Sequence, residues 1–100
     1  MPIQIQIPPE EIADFCVRHH IRRMSLFGSV VRDDFRPESD IDVLVEFEDG
    51  RTPGLEFFAM EDQLSRILGK RVDLNTPGGL HRFIRKSVLE DAQVIYDQAG

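Results

Sequence analysis

The segment from residue 40 to residue 48, which reads DIDVLVEFE, constrains the fold of this chain more than any other segment. Apolar residues occupy every second position of it, which predicts a β-strand with one apolar face. The two aspartates at its start, Asp40 and Asp42, then project together from the other face. Two neighbouring carboxylates on a half-buried strand are unfavourable unless a positive group lies between them. The segment therefore indicates a sheet with a covered face and a cation between the acids.

A divalent metal is the cation that fits this pattern best. Carboxylates at positions i and i+2 of a strand lie roughly 6–7 Å apart, so Asp40 and Asp42 can share one Mg²⁺ or bridge two ions about 3.5–4 Å apart. Magnesium prefers oxygen ligands and is usually completed by substrate phosphates. Asp73, in the short apolar segment RVDLN at residues 71–75, completes a three-carboxylate set if the two strands are neighbours. An acid placed there is also suited to deprotonating an attacking hydroxyl.

Gly28-Ser29 lies where a predicted strand gives way to a predicted helix. Glycine lets the backbone approach a ligand closely, and the free N–H groups at a helix start, with the Ser29 hydroxyl, suit a phosphate. Arg32 follows within one turn and either contacts a phosphate or pairs with a nearby acid. The sequence contains neither the G-x-x-x-x-G-K-[ST] loop nor the G-x-G-x-x-G fingerprint.

The remaining pattern alternates helices with strands and predicts an α+β fold, in which helices pack as a second layer against one mixed β-sheet. Residues 3–7 predict a short strand or an extended arm. The predicted helices cover residues 8–20, 30–35, 57–68 and 80–91, and the predicted strands cover residues 22–27, 40–48, 70–75 and 93–96. Gly69 is expected to cap the third of these helices.

The last predicted helix carries two kinds of side chain at helical spacing. Its apolar residues, which we expect to face the core, are Phe83, Ile84, Val88 and Leu89. Its basic face, either solvated or in contact with phosphates or an acidic partner, comprises His81, Arg82, Arg85 and Lys86. In the preceding helix, Leu55 and Phe58 are candidates for exposed apolar residues that meet a partner.

The chain has 100 residues, a formal net charge of −6 and one cysteine. This length predicts a single domain over residues 1–100. The acidic balance counts against a nucleic-acid backbone as the main partner, and no apolar run reaches the ~20 residues that span a bilayer. Without a signal peptide or a disulfide, the expected location is cytoplasmic. Cys16 is expected in the core, and His19 and His20 are expected at a helix end rather than on a metal.

Gly28-Ser29, the ten-residue gap, Asp40-x-Asp42 and the later Asp73 together resemble the DNA polymerase β-type nucleotidyltransferase superfamily. The short chain and the sequence SDIDVLV at residues 39–45 resemble the minimal branch of this superfamily, the MntA-like antitoxins. The resemblance covers about residues 24–96 and implies a polymerase-β-like fold that binds two Mg²⁺ ions and ATP. By motif match it implies metal ligation and catalysis by the three aspartates, and triphosphate binding by Gly28 and Ser29 with Arg32.

The resemblance also implies a partner. Minimal members are commonly encoded beside a HEPN-domain ribonuclease toxin and act as its antitoxin by transferring AMP from ATP onto a toxin tyrosine. A chain of this size leaves no segment to hold an acceptor, so we expect a second macromolecule to bring it. Whether the chain forms a hetero-oligomer with the toxin or a homo-oligomer stays open, and neither a membrane nor direct nucleic-acid contact is expected.

Two alternatives remain at the level of the sequence. The chain is either a non-catalytic antitoxin that neutralises its partner by binding alone, or an enzyme that transfers a nucleotide to RNA or to a small molecule. Asp33 is a departure from the family pattern, because a small residue often follows the arginine at the position of Arg32. It either adds negative charge beside the phosphate site or faces solvent.

Overall fold

The computed structural model describes residues 5–32 and 35–99. We refer to the first 3₁₀ turn, at Gly28–Val31, as the glycine turn. The elements in chain order are α1 (Pro9–Arg18), β1 (Ile21–Phe27), the glycine turn, β2 (Ile41–Phe47), α2 (Glu56–Leu68), β3 (Val72–Asn75), a second 3₁₀ turn (Pro77–Gly79), α3 (Arg82–Asp91) and β4 (Gln93–Asp97). Within the described part of the chain, no helix is long and apolar enough to cross a membrane.

The four strands form one mixed sheet in the order β3-β2-β1-β4. β1 runs antiparallel to β2 and to β4, whereas β2 and β3 are parallel. Parallel neighbours need a crossover connection, and α2 provides it here. The predicted α+β fold with a mixed sheet is therefore confirmed, as is the edge position of β4.

Helices α1 and α2 cover one face of the sheet. Ile41, Val43 and Val45 of β2 are fully buried in a core that both helices share. Because side chains alternate along a strand, Asp42 projects from the opposite face, which these two helices do not cover. Cys16 of α1 is fully buried in the same core, as predicted, and burial raises the pKa of its thiol to about 12.

Side chains of α2 complete the hydrogen bonding of the edge strand β3. The Val72 N–H donates to Ser65 Oγ at 3.0 Å, and the Leu74 N–H donates to Glu61 Oε2 at 2.9 Å. These two amides point away from β2, where an edge strand would otherwise leave its donors unpaired. Helix α2 therefore fixes the backbone on both sides of Asp73.

Several boundaries differ from the sequence prediction. Helix α1 ends at Arg18 rather than near residue 20, because His20 adopts a left-handed backbone with φ of 58°. Of the helix predicted over residues 30–35, Val30 and Val31 belong to the glycine turn, which includes Gly28, and Arg32 is extended. Residues 33 and 34 lie outside the described residues. The arm predicted over residues 3–7 lies partly outside the described residues, and residues 5–8 form no strand.

The inward face predicted for the last helix is wrong. Helix α3 has no buried residue, and Phe83 and Ile84 are 76% and 50% exposed. Leu89 is also exposed, and Val88 is half-buried. The helix packs on the glycine turn. An apolar period marks one face of a helix, but it does not reveal which surface that face meets.

Candidate active site

The sheet brings Asp42 and Asp73 side by side. They are register partners in the parallel pair of β2 and β3, whose backbones lie about 4.8 Å apart. Both side chains leave the same face, and the negative charge of Asp73 raises the pKa of Asp42, as expected for neighbouring carboxyl groups. The strand adjacency on which the three-carboxylate set depended is therefore confirmed.

The glycine turn lies directly against Asp42. Phe27, the last residue of β1, is the register partner of Asp42, so Gly28 follows beside the carboxylate. Gly28 has a left-handed backbone with φ of 75°, which favours glycine. A Cβ on Gly28 would fall on Oδ2 of Asp42, far inside van der Waals contact. Both the backbone angle and the space therefore require glycine here.

The environment of Asp42 disfavours the ionised form of its carboxyl group. Burial raises its pKa most, followed by the charges of Asp73 and Asp40 and by the hydrogen bond with Asp73, to about 6 from 3.8. The positive charge of Arg32 acts in the opposite direction. Burial and the neighbouring acids therefore both disfavour the ionised form of Asp42, and a bound cation would stabilise that form.

Asp40 lies just before β2 and is more exposed than Asp42. Its Oδ2 is 3.9 Å from Nε of Arg71. Among residues 5–32 and 35–99, no three acidic, histidine or cysteine side chains are gathered closely enough to hold a metal as they stand. The donor chemistry nevertheless suits Mg²⁺, because a cation would relieve the charge that raises the pKa of Asp42. Ligation by Asp40, Asp42 and Asp73 stays a prediction.

A cleft of about 500 Å³ opens beside the glycine turn. We call its two sides the turn wall and the helix wall. The turn wall consists of Phe27, Gly28, Arg32 and Asp42. The helix wall consists of Phe83, Ile84, Ser87, Val88 and Asp91. Ser29 lies in the glycine turn and is half-buried, but it does not line the cleft.

Sequence reasoning missed the helix wall. Its five residues share one side of α3, because they recur every three or four positions. The sequence shows this spacing, but an apolar stripe at helical spacing predicts a core-facing side. The signal that distinguishes a cleft from a core was also present: polar Ser87 and Asp91 lie in the same stripe as the apolar residues.

The other residues that the sequence singled out lie away from the cleft. His19 contacts Gln63 Oε1 at 3.0 Å and Glu56 Oε1 at 3.4 Å, so it joins the end of α1 to α2. Leu55 and Phe58 are 86% and 69% exposed at the start of α2. The start of α2 follows the end of β2 that is remote from Asp42. The departure at Asp33 lies outside the described residues.

A sheet that carries two adjacent aspartates on neighbouring strands, against a glycine turn, is the arrangement of a nucleotidyltransferase. A family model described as a nucleotidyltransferase domain matches residues 9–95. The chain belongs to this family. Protein adenylyltransferase MntA of Thermococcus cleftensis is 40% identical over 80 residues, which make up 79% of this chain and 77% of that protein.

Solved structures agree with this assignment. A structure provisionally described as a minimal nucleotidyltransferase has a TM-score of 0.70 and 40% identity, and the match covers 85% of this chain and 86% of that one. A toxin–antitoxin structure with AMP-PNP has a TM-score of 0.74, 18% identity and coverage of 91% and 74%. The structure of a tri-AMPylated HEPN toxin with its MNT antitoxin, from Shewanella oneidensis, has a TM-score of 0.65 and 18% identity. The match covers 89% of this chain and 69% of that one. The last two likenesses show the fold alone.

Proposed function

We propose that this protein transfers AMP from ATP to a hydroxyl group of a partner protein, and that the partner is a HEPN-type toxin that the transfer neutralises. The observation that carries the proposal is the pairing of Asp42 with Asp73 on neighbouring strands, directly against Gly28. This arrangement places concentrated negative charge beside a backbone turn that is open to a phosphate. The names of the similar proteins support adenylyl transfer and a HEPN toxin as the acceptor.

In this proposal the acids hold the cation and the turn holds the nucleotide. Asp40, Asp42 and Asp73 would hold Mg²⁺, whose chemistry there is neutralisation of the triphosphate and polarisation of the α-phosphorus. Gly28 would approach the β- and γ-phosphates through its backbone N–H group, with Ser29 next to it in the glycine turn, and Arg32 adds positive charge on the turn wall. Asp73 is exposed and would accept a proton from the acceptor.

The reaction balances as a displacement at the α-phosphorus. The acceptor oxygen forms a bond to that phosphorus, and the bond from phosphorus to the bridging oxygen of the β-phosphate breaks. Pyrophosphate leaves, and the hydroxyl proton passes to a carboxylate of the site. A tyrosine hydroxyl is the proposed acceptor, because a phenol with a pKa near 10 loses its proton more readily than a serine hydroxyl.

The test is a transfer assay with the purified partner, Mg²⁺ and ATP labelled either at the α- or at the γ-phosphate. We expect label on the partner from α-labelled ATP only, with its loss in Asp42→Asn and Asp73→Asn. Asp62→Asn, which changes an exposed acid on α2, is the matched control and keeps full transfer.

Each other result contradicts a part of the proposal. Label from the γ-phosphate indicates phosphoryl rather than nucleotidyl transfer. Neutralisation that persists without label in Asp42→Asn indicates an antitoxin that acts by binding alone. Label that appears on RNA or on a small molecule, and not on the protein, identifies a different acceptor.

A further inference from the structure

The helix wall has no role in the proposed chemistry, yet it lines the same cleft of about 500 Å³ as Asp42. A space of that size suits a small molecule, since ligand pockets are typically ~300–1,000 Å³. The turn wall, with Gly28, Arg32 and Asp42, accounts for a triphosphate and its cation. It leaves the rest of the nucleotide without a contact surface.

The helix wall has the chemistry of a nucleoside site. Phe83 and Ile84 offer an aromatic ring and an aliphatic side chain that are 76% and 50% exposed. Ser87 and Asp91 follow on the same side of α3 and offer a hydroxyl and a carboxylate to sugar or base hydrogen-bond donors. The five residues extend over about 12 Å of helix. Apolar surface for a ring thus lies beside acceptors for hydroxyl groups.

Charge determines which half of the nucleotide each wall receives. Asp91 repels phosphates from the helix wall. On the turn wall Arg32 attracts them, and the cation of the proposed function offsets the charge of Asp42. The Phe83 ring also has polar neighbours: the Arg82 guanidinium is 5.1 Å from its centroid, and the His81 ring is 5.0 Å away and tilted by 34°. Because the side chain is still 76% exposed despite these contacts, its ring is accessible to a ligand.

We propose that the helix wall binds the nucleoside half of the substrate, with the base against Phe83 and Ile84 and the sugar hydroxyls near Ser87 and Asp91. This inference rests on the proposed function, since it takes a nucleoside triphosphate as the ligand. It also accounts for a helix with no buried residue, because the substrate covers the face that the core does not.

The test compares ATP with inorganic tripolyphosphate, which has the phosphates but no nucleoside. Binding of each is measured by calorimetry in Mg²⁺ for the wild type, Phe83→Ala and Phe83→Leu. The control is Phe58→Ala, which removes a similarly exposed ring, 69% exposed, at the remote end of α2. Thermal unfolding of each variant confirms that it folds.

We expect Phe83→Ala to weaken ATP binding at least about fivefold, the loss that removal of one base–aromatic stack produces, and to leave tripolyphosphate binding unchanged. The ATP affinity of Phe83→Leu should lie between those of the wild type and Phe83→Ala, and the ATP affinity of Phe58→Ala should equal that of the wild type. Equal ATP affinity in the wild type and Phe83→Ala overturns the inference and leaves the proposed function standing. An equal loss for both ligands also overturns it, because Phe83 then acts on the phosphate half. A wild type that binds neither ligand contradicts the proposed function as well.

Discussion

At the scale of single residues, Asp42 shows how a functional site works against stability. Its carboxylate is half-buried beside Asp73 and Asp40, and the positive charge of Arg32 partly offsets their repulsion. A folded-state pKa above the unfolded value means that the folded protein binds the proton more tightly. Ionisation of Asp42 therefore destabilises the fold as the pH rises from about 4 to about 6.

Asp42→Asn should make the metal-free protein more stable. The substitution removes the charge and retains the shape, so we expect the free energy of unfolding at pH 7.5 to rise by about 1–2 kcal/mol, a value reduced for solvent screening. The gain should disappear below about pH 4, where wild-type Asp42 is protonated. Urea unfolding in EDTA between pH 4 and pH 8 measures both. A gain that is independent of pH, or its absence at pH 7.5, contradicts the origin assigned to the raised pKa of Asp42.

Gly28→Ala tests the contact between the turn and the acid. Gly50 is a matched control because it has nearly the same backbone angle, φ of 76° against 75°, but open space around it. Alanine in either position adds backbone strain of about 1–2 kcal/mol. Only Gly28→Ala also displaces Asp42, so we expect it alone to reduce ATP binding. Equal ATP affinities in Gly28→Ala and Gly50→Ala would show that ATP binding does not need the close approach of Gly28 to Asp42.

At the scale of secondary structure elements, the position of Asp73 depends on helix α2. Glu61→Ala removes the acceptor of the Leu74 N–H and should lower the free energy of unfolding by about 1–2 kcal/mol. The amide exchange of Leu74 should accelerate, whereas that of Val72, which donates to Ser65, should change less. Glu61→Gln retains an acceptor and is the control. Unchanged protection of Leu74 in Glu61→Ala would show that this contact does not hold β3.

The elements differ in how far the sequence predicts them. The strand at residues 40–48 can be predicted because two features fit the same structure. The alternating apolar residues and the i, i+2 spacing of the aspartates both indicate a strand with one apolar and one acidic face. The contacts of Ser65 and Glu61 with β3 were not, because a side chain that reaches the backbone of another element leaves no periodic pattern. The face of α3 was assigned to the core because a short apolar stripe looks the same whether protein or ligand covers it. The pairing of Asp42 with Asp73 became definite only with the strand order.

At the scale of the whole molecule, the negative charge of the protein makes ATP binding dependent on a divalent cation. The chain carries a formal net charge of −6, and its candidate site pairs Asp42 with Asp73. A nucleoside triphosphate is itself strongly anionic, so the protein repels it in the absence of a cation. Binding of ATP at this site is therefore expected only when a divalent ion neutralises the acids and the phosphates together.

The most direct measurement is calorimetric titration of ATP into the protein in Mg²⁺ and, separately, in EDTA. Wild-type protein and Asp62→Asn should bind ATP in Mg²⁺ and show no binding in EDTA, while Asp42→Asn and Asp73→Asn should lose most of the Mg²⁺-dependent affinity. Equal affinity for ATP in Mg²⁺ and in EDTA, or full Mg²⁺-dependent binding in Asp42→Asn and Asp73→Asn, would contradict the claim that these aspartates and the glycine turn form one cation-dependent nucleotide site.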